Sequence, residues 1–462
     1  MNTNKPNGVT AVFSEKLPLS KLLPLGLQHL VTMVGSFMVP VLVGSAMGLD
    51  SKTLAYLVSA IFFTSGVAIL IQVIGIGKGI GSKLPLFMGS SFITLGPMIV
   101  IGKQYGLPTL FGSIIASGII IFLLSFFFDK LLIFFPKIVT GTFITIMGIS
   151  LAPTAFKDFA GGESSPVHGS SANMLIGTIV IALIILLHKF CKGFLKTMAI
   201  LIGVLIGTIL AGIFGMIDFN PVADANWLQV VTPFHFGLPE FHLNAIMTMS
   251  IFCLINLIQC IGSYSVLDET CGTETTDKDT IRGLRGQAVG QVISGMFNSV
   301  PHAFLNENIG VMSLSGFKNR FITITTGCIL IVLSFFPKFS AFITVIPSCV
   351  RGGAMLAIFG MVISAGISIL SRVDFSGNHN TLIIGTSIAI GVGSNFDPGV
   401  FNHMPWLMKT LFENGMFSAC LCAVVLNVCL NFHTFKGFFS IRPRNSEAEP
   451  NAAWGAVNPQ EK

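Results

Sequence analysis

Apolar runs long enough to cross a lipid bilayer recur from one end of this 462-residue chain to the other. A bilayer core about 30 Å thick needs roughly 20 apolar residues in a helix, and irregular backbone is not tolerated against lipid. The repetition therefore predicts a polytopic all-α membrane protein. Only 10% of the residues are charged and 52% are hydrophobic, with a mean hydropathy of +0.82, whereas soluble domains run near 25% charged. The runs are too long for the ten-residue alternating strands of an outer-membrane barrel.

About fourteen spans are expected, near 22–44, 54–76, 84–102, 109–128, 131–152, 172–188, 197–217, 242–267, 285–299, 303–317, 321–337, 347–370, 380–394 and 408–431. The ninth, tenth and thirteenth are short and rich in Gly, Pro or Asn, the pattern of half-helices or re-entrant pieces. With the N-terminus inside, twenty of the 26 basic residues fall on the inner side. The other six, Lys52, Lys103, Lys157, Lys338, Arg351 and Lys409, fall outside. That bias predicts an inner or plasma membrane protein with both termini cytoplasmic. The first twenty residues are polar, which is unlike a cleavable signal peptide. Residues 1–15 and 441–462 read as solvated tails, and 155–171 and 218–241 as external loops.

A short internal repeat accompanies this segmentation. Pro136-Lys-Ile-Val139-Thr-Gly141 opens the fifth span and Pro347-Ser-Cys-Val350-Arg351-Gly352 opens the twelfth, seven spans later. Seven is odd, so the second copy is inverted in the membrane, as in many transporters; chance similarity of so short a pattern is the other reading.

The net charge of +6 is spread singly between apolar runs, which is membrane topology rather than a nucleic-acid footprint. The cysteines lie mostly within apolar runs without metal-type spacing. The chain has no P-loop, metal cluster or nucleophile elbow, so an enzyme is not expected and no cofactor is implied.

Polar groups at membrane depth mark the candidate site. Glu307 alone among the twenty acids lies well inside a predicted span, and such a group is costly and functional by default. Pro301-His302-Ala-Phe-Leu-Asn306-Glu307-Asn308-Ile-Gly310 is too polar to face lipid and suits a broken helix lining a cavity. His29, after Gln28 in the first span, can donate to a ligand or set a neighbour's geometry. Gln259 offers a donor beside an acceptor, the complement of a nucleobase lactam edge. Gly89-Ser90-Ser91-Phe92 allows close backbone approach, and Phe92 can stack on a planar base. Each also has a plainer reading as interhelical packing or hydrogen bonding. Gln287 and Gln291, four apart, share one helix face.

These residues bring a family into view. The chain resembles the nucleobase/ascorbate transporters (nucleobase–cation symporters) over nearly its whole length. The likeness rests on Gln28-His29, Leu84-Pro85 through Gly89-Ser90-Ser91-Phe92 to Pro97, Gly295-Met-Phe297-Asn298-Ser-Val-Pro301, Glu307-Asn308-Ile309-Gly310, and Pro347 to Gly353 with Phe359-Gly360. The resemblance implies fourteen spans in two inverted repeats of seven, with short strands in broken spans 3 and 10. It implies a core domain over 22–128 and 242–337, a gate domain over 129–217 and 338–431, and cytoplasmic tails at 1–21 and 432–462. The gate would also make a homodimer.

By the same resemblance Glu307 binds the base, backbone near Ser91, Phe92 and Asn306 contacts it, and His29 and Asn308 support the site. The implied activity is uptake of a nucleobase by alternating access with a cation, by default a proton; xanthine or uric acid is favoured over uracil. The chain departs from the family at Gln259 and Gln287, where acids are usual. An amide cannot cycle a proton, so coupling passes to Glu307, to sodium, or is absent, while Gln259 can still bind a base. A sulfate-permease-type anion carrier, sharing the seven-plus-seven architecture, and a base-binding sensor that does not transport are the other readings; a central acid argues against the first. Arg351 stands where the family commonly has an apolar residue.

Overall fold

In the computed structural model, which describes residues 13, 17–127, 136–162, 165, 167–192, 194–375 and 378–431, the elements are overwhelmingly helical. Most of the two expected tails, the start of the fifth expected span (131–135) and parts of the 155–171 loop lie outside the described residues. The main helices are α1 (Leu19–Thr32), α2 (Met38–Ala46), α3 (Ser51–Ile74), α4 (Leu95–Leu124), α5 (Lys137–Phe159), α6 (Ser171–Phe190) and α7 (Ala199–Ile213). They continue as α8 (Leu243–Cys271), α9 (Asp277–Met296), α10 (Asn306–Ser315), α11 (Arg320–Ser334), α12 (Pro337–Thr344), α13 (Ser348–Leu370), α14 (Asn378–Phe396), α15 (Trp406–Phe412) and α16 (Gly415–Leu430). Two three-residue strands, β1 (Met88–Ser90) and β2 (His302–Phe304), pair antiparallel with Gly89 opposite Ala303.

Among the described residues seven helical stretches are long and apolar enough to cross a membrane, and an eighth if α11 and α12, bent by 90° at their junction, count as one. The shorter apolar helices pack in the same manner as membrane helices. Helix α7 turns Gly203, Val204, Gly207 and Ala211 inward and leaves Leu205, Ile209 and Ile213 exposed. Large apolar side chains on the outside and small ones at the helix contacts suit lipid, because lipid offers no hydrophobic drive to bury them.

Several boundaries differ from the sequence expectation. The ninth and thirteenth segments are not short: α9 has 20 residues and α14 has 19. Helix α9 begins in the polar run Asp277-Lys278-Asp279, where Thr276 accepts from the Asp279 N–H as its N-cap. Hydropathy misses that turn because a capped helix end can be polar. The first expected span breaks at the 3-10 turn Met33–Gly35, and the last between Phe412 and Gly415. In the third, an extended segment and β1 precede α4, which does not end near residue 102 but continues past a non-helical Gly106 (φ 84°) through the expected fourth span. A left-handed φ there is open only to glycine at low cost.

The helices pack in two sets. In one, α3 lies against α11, α12, α9 and α2, α4 lies against α9 and α8, and α1 against α11. In the other, α5 lies against α13, α16 and α14, and α6 lies against α13 and α7. The ribbon of β1 and β2 sits within the first set, held by α3, α8 and α9. The 218–241 segment is pinned across that set: Tyr56 Oη donates to Thr232 O (3.1 Å), and the Phe234 N–H donates to Met296 O (2.8 Å).

Candidate functional site

The ribbon is where the chain changes from strand to helix twice. Beyond the strands, the Ser91 N–H donates to Pro301 O (2.9 Å) and the Leu305 N–H to Phe87 O (3.0 Å). Because the strands are antiparallel, Ser91 and Phe92 leave the ribbon at one end while Asn306 and Glu307 leave it at the other. Helices α4 and α10 thus start in the interior and run away from each other. Neither has a side-chain N-cap, so their N-terminal N–H groups and positive dipole ends face the crossing. Helix α10 has 10 residues, about 15 Å at the helical rise, half of a bilayer core. It ends at Gly316 in the left-handed region (φ 74°).

Glu307 lies deep in the protein's interior, yet its surface is open while His302–Phe304, Asn308 and Ile309 around it are buried. Asn306 is open beside it. Among the described residues no other side chain bonds the Glu307 carboxylate. On α8, which packs against α10, Gln259 is half-buried and its amide is likewise without a partner among the described residues. A Cβ added at Gly262 or at Gly310, one turn beyond Gln259 and Glu307, would meet nothing within 4 Å. An unpaired carboxylate and an unpaired amide therefore both border unfilled space. At the other end of the ribbon, half-buried Phe92 stands edge-on to Phe359 of α13, with ring centroids 5.5 Å apart. An aromatic edge and face of this kind can hold a planar ring.

The remaining expected residues serve as frame. His29 is buried, stacked on Phe87 at 4.3 Å, and Asn308 Nδ2 donates to His29 O (3.0 Å) and lies 3.3 Å from His29 Nδ1. The two thus tie α1 to α10. The Ser91 hydroxyl donates to Asn256 Oδ1 (2.9 Å) and so points away from the opening, leaving its backbone. Gln287 is buried and its Nε2 donates to His302 O (3.0 Å). Gln291 donates to the Ser117 hydroxyl (2.7 Å) between α9 and α4. Arg351 pairs with Asp158 (3.4 Å) and so joins α13 to α5.

Three residues at the site were missed in the sequence. Asn256 is a polar group in an apolar run, three residues before Gln259, and the rule that singles out Gln259 applies to it equally. His302 stands in the broken-helix motif but its partners come from other helices. Phe359 belongs to the family likeness at Phe359-Gly360, but it comes from a helix distant in sequence and nothing local places it beside Phe92. Among the described residues no cluster of His, Cys, Asp or Glu could hold a metal ion.

Residues 20–400 match the family model Xan_ur_permease, described as "Permease family". The chain is 43% identical over 412 residues to the xanthine permease of Bacillus subtilis, covering 89% of this chain and 94% of that one. It is 40% identical over 409 residues to the nucleobase transporter PlUacP of Paenibacillus larvae, covering 88% and 94%. With the uric acid permease PucJ of Bacillus subtilis it shares 39% over 430 residues, covering 92% and 94%. Among solved structures, the transmembrane domain of the cyanobacterial bicarbonate transporter BicA superposes with a TM-score of 0.60 at 16% identity, covering 90% of this chain and 98% of that one. The murine anion transporter Slc26a9 in its inward-facing state gives 0.63 at 11% identity, covering 91% and 69%. At such identities the likeness is one of fold.

Proposed function

The chain belongs to the permease family of the Xan_ur_permease model, the nucleobase/ascorbate transporters, and is a multi-pass membrane permease rather than an enzyme; from that premise we propose that it takes up a purine base, xanthine or uric acid, by alternating access coupled to a cation. The observation that carries this reading is Glu307: an open carboxylate at the N-terminus of a half-helix in the interior, unpaired by any side chain among the described residues. A purine presents N–H donors along its edge, and a carboxylate accepts them with charge-assisted strength. Gln259 supplies the amide that complements an N–H beside a C=O, and Phe92 an apolar edge for the ring.

In this proposal fourteen crossings form two inverted repeats. The contacts of α5 and α13 support such a repeat. Gly141 of the first copy packs against Leu370, and Gly352, its counterpart, packs against Phe159, the position that matches Leu370. A pairing that returns to itself under exchange of the copies is what a two-fold axis produces. The helix set containing the ribbon is proposed as the core that carries the base, and the set of α5–α7 with α13–α16 as the gate and dimer surface, with both termini cytoplasmic.

With amides at 259 and 287, Glu307 is the carboxylate left at the crossing to exchange a proton, and proton symport through it is the proposed coupling. Uptake of radiolabelled xanthine, uric acid and uracil into proteoliposomes, with and without an imposed proton gradient, tests this. The expected result is gradient-driven accumulation of a purine. Accumulation of uracil alone would overturn the substrate assignment; equilibration under a proton gradient, with accumulation under a sodium gradient, would overturn the coupling.

A further inference from the structure

The two-stranded ribbon has a weakness that its register exposes. The bonds Ser91 N–H to Pro301 O and Leu305 N–H to Phe87 O set the alternation of an antiparallel pair. Ser90 and His302, opposite each other, therefore form a non-hydrogen-bonded pair, and the His302 carbonyl points out of the ribbon. Among the described residues no third strand takes it. A buried carbonyl without a donor is costly.

Two side chains take it instead. Asn256 Nδ2 donates to His302 O at 2.7 Å from α8, and Gln287 Nε2 donates to the same oxygen at 3.0 Å from α9. Both lone pairs of one carbonyl are filled by amides that are buried, at 0% and 1% exposure. Asn256 also accepts from the Ser91 hydroxyl (2.9 Å), so a single side chain holds the end of one strand and the start of the other. The His302 ring is tied separately: the Ser294 hydroxyl donates to Gly290 O (2.9 Å), so His302 Nδ1–H donates to Ser294 Oγ (2.8 Å).

We propose that Asn256 and Gln287 are positioning residues for transport, two amides that hold the His302 carbonyl and with it the separation of the half-helix starts, and that this hold does not vary with pH. The inference rests on the reading that the crossing carries the base. Asn306 and Glu307 follow His302 by four and five residues, so a ribbon released at His302 misplaces the groups that face the ligand. Amides keep their N–H at every pH. An acid at either position donates to a carbonyl only while protonated, and when ionised sets oxygen against oxygen. The titratable groups around the clamp are Cys253, Cys260 and Tyr264 on α8, the His302 imidazole on β2 and Glu307 on α10, and Asp279 of α9 acts on Tyr264 from further off.

The experiment compares wild type with Asn256→Asp, Gln287→Glu and Gln287→Met in proteoliposomes, using exchange of whichever base of the xanthine, uric acid and uracil panel the wild type carries, at about pH 5 and about pH 8, where a buried carboxyl is respectively protonated and ionised. Relative to wild type, the two acidic variants lose apparent affinity by about tenfold or more at the higher pH and recover at the lower. Gln287→Met, which never donates, is weakened equally at both. A second readout needs no transport: the thermal stability of Asn256→Asp and of Gln287→Glu falls as pH rises through the pKa of the introduced acid, which the fold raises because it favours the protonated form, while that of Gln287→Met shows no such fall. If the acidic variants keep the wild-type affinity, pH profile and stability, the clamp is overturned. If the wild type carries no base but the pH-dependent melting appears, the transport reading fails and the clamp stands as structure alone.

Discussion

Glu307 concentrates the consequences of the fold in one side chain. The strand-to-helix change places it on the first turn of α10, where no side chain caps the helix and its carboxylate meets open space. Glu307→Gln keeps the shape and removes the charge. Losing a charge-assisted hydrogen bond to the base costs about 1.5–3 kcal/mol, so uptake is expected to fall by about 10- to 100-fold with the protein still folded. Initial-rate uptake alongside a thermal melt checks this; near-normal uptake would remove Glu307 from the centre of the site. His29, by contrast, is enclosed by Phe87 and Asn308, and its role is read from those contacts as holding α10 in place.

At the scale of elements, α5 and α13 depend on close backbone approach. A Cβ at Gly352 would collide with the backbone N of Phe159, whereas one at Gly360, on the same helix, would meet nothing within 4 Å. Overpacking that neither backbone can relieve costs about 1–3 kcal/mol. Gly352→Ala is therefore expected to lower the thermal stability of the purified protein, and Gly360→Ala to leave it unchanged. Equal melting of the two variants would mean that α5 and α13 separate freely to admit a methyl group.

Across the whole molecule, residues far apart in the chain are joined at a few charged points. Arg351 is 8% and Asp158 16% exposed, and they pair across α13 and α5, with Ile346 O and Ser348 also accepting from the guanidinium. Removing one partner of a largely buried pair leaves the other unpaired at a cost of about 3 kcal/mol. Arg351→Ala is expected to destabilise by that order, and Asp158→Ala in the same chain to recover part of the loss. A double-mutant cycle by thermal unfolding measures the coupling, and simple additivity would show that the pair holds nothing. This contact also gives Arg351 the role that its place in the sequence left open.

Much of this protein was legible in the order of its residues. Membrane residence follows from apolar length alone, because the bilayer sets a length that composition must meet. The likeness at Gln28-His29, Gly89 to Phe92 and Glu307 to Gly310 led to the permease family, since those groups are too polar for lipid to tolerate idly. Helix α9 reaches further than hydropathy indicates, because its capped polar first turn is invisible to hydropathy. What only the tertiary structure decided is which polar group faces the opening and which is spent on the frame. Glu307, Gln259, Asn256 and Gln287 look alike in sequence as polar residues in apolar runs. Their roles separate only where α8, α9 and the ribbon meet, because a hydrogen bond depends on a partner brought from elsewhere in the chain, and the His302 carbonyl selects two of the amides while the other two groups are left open.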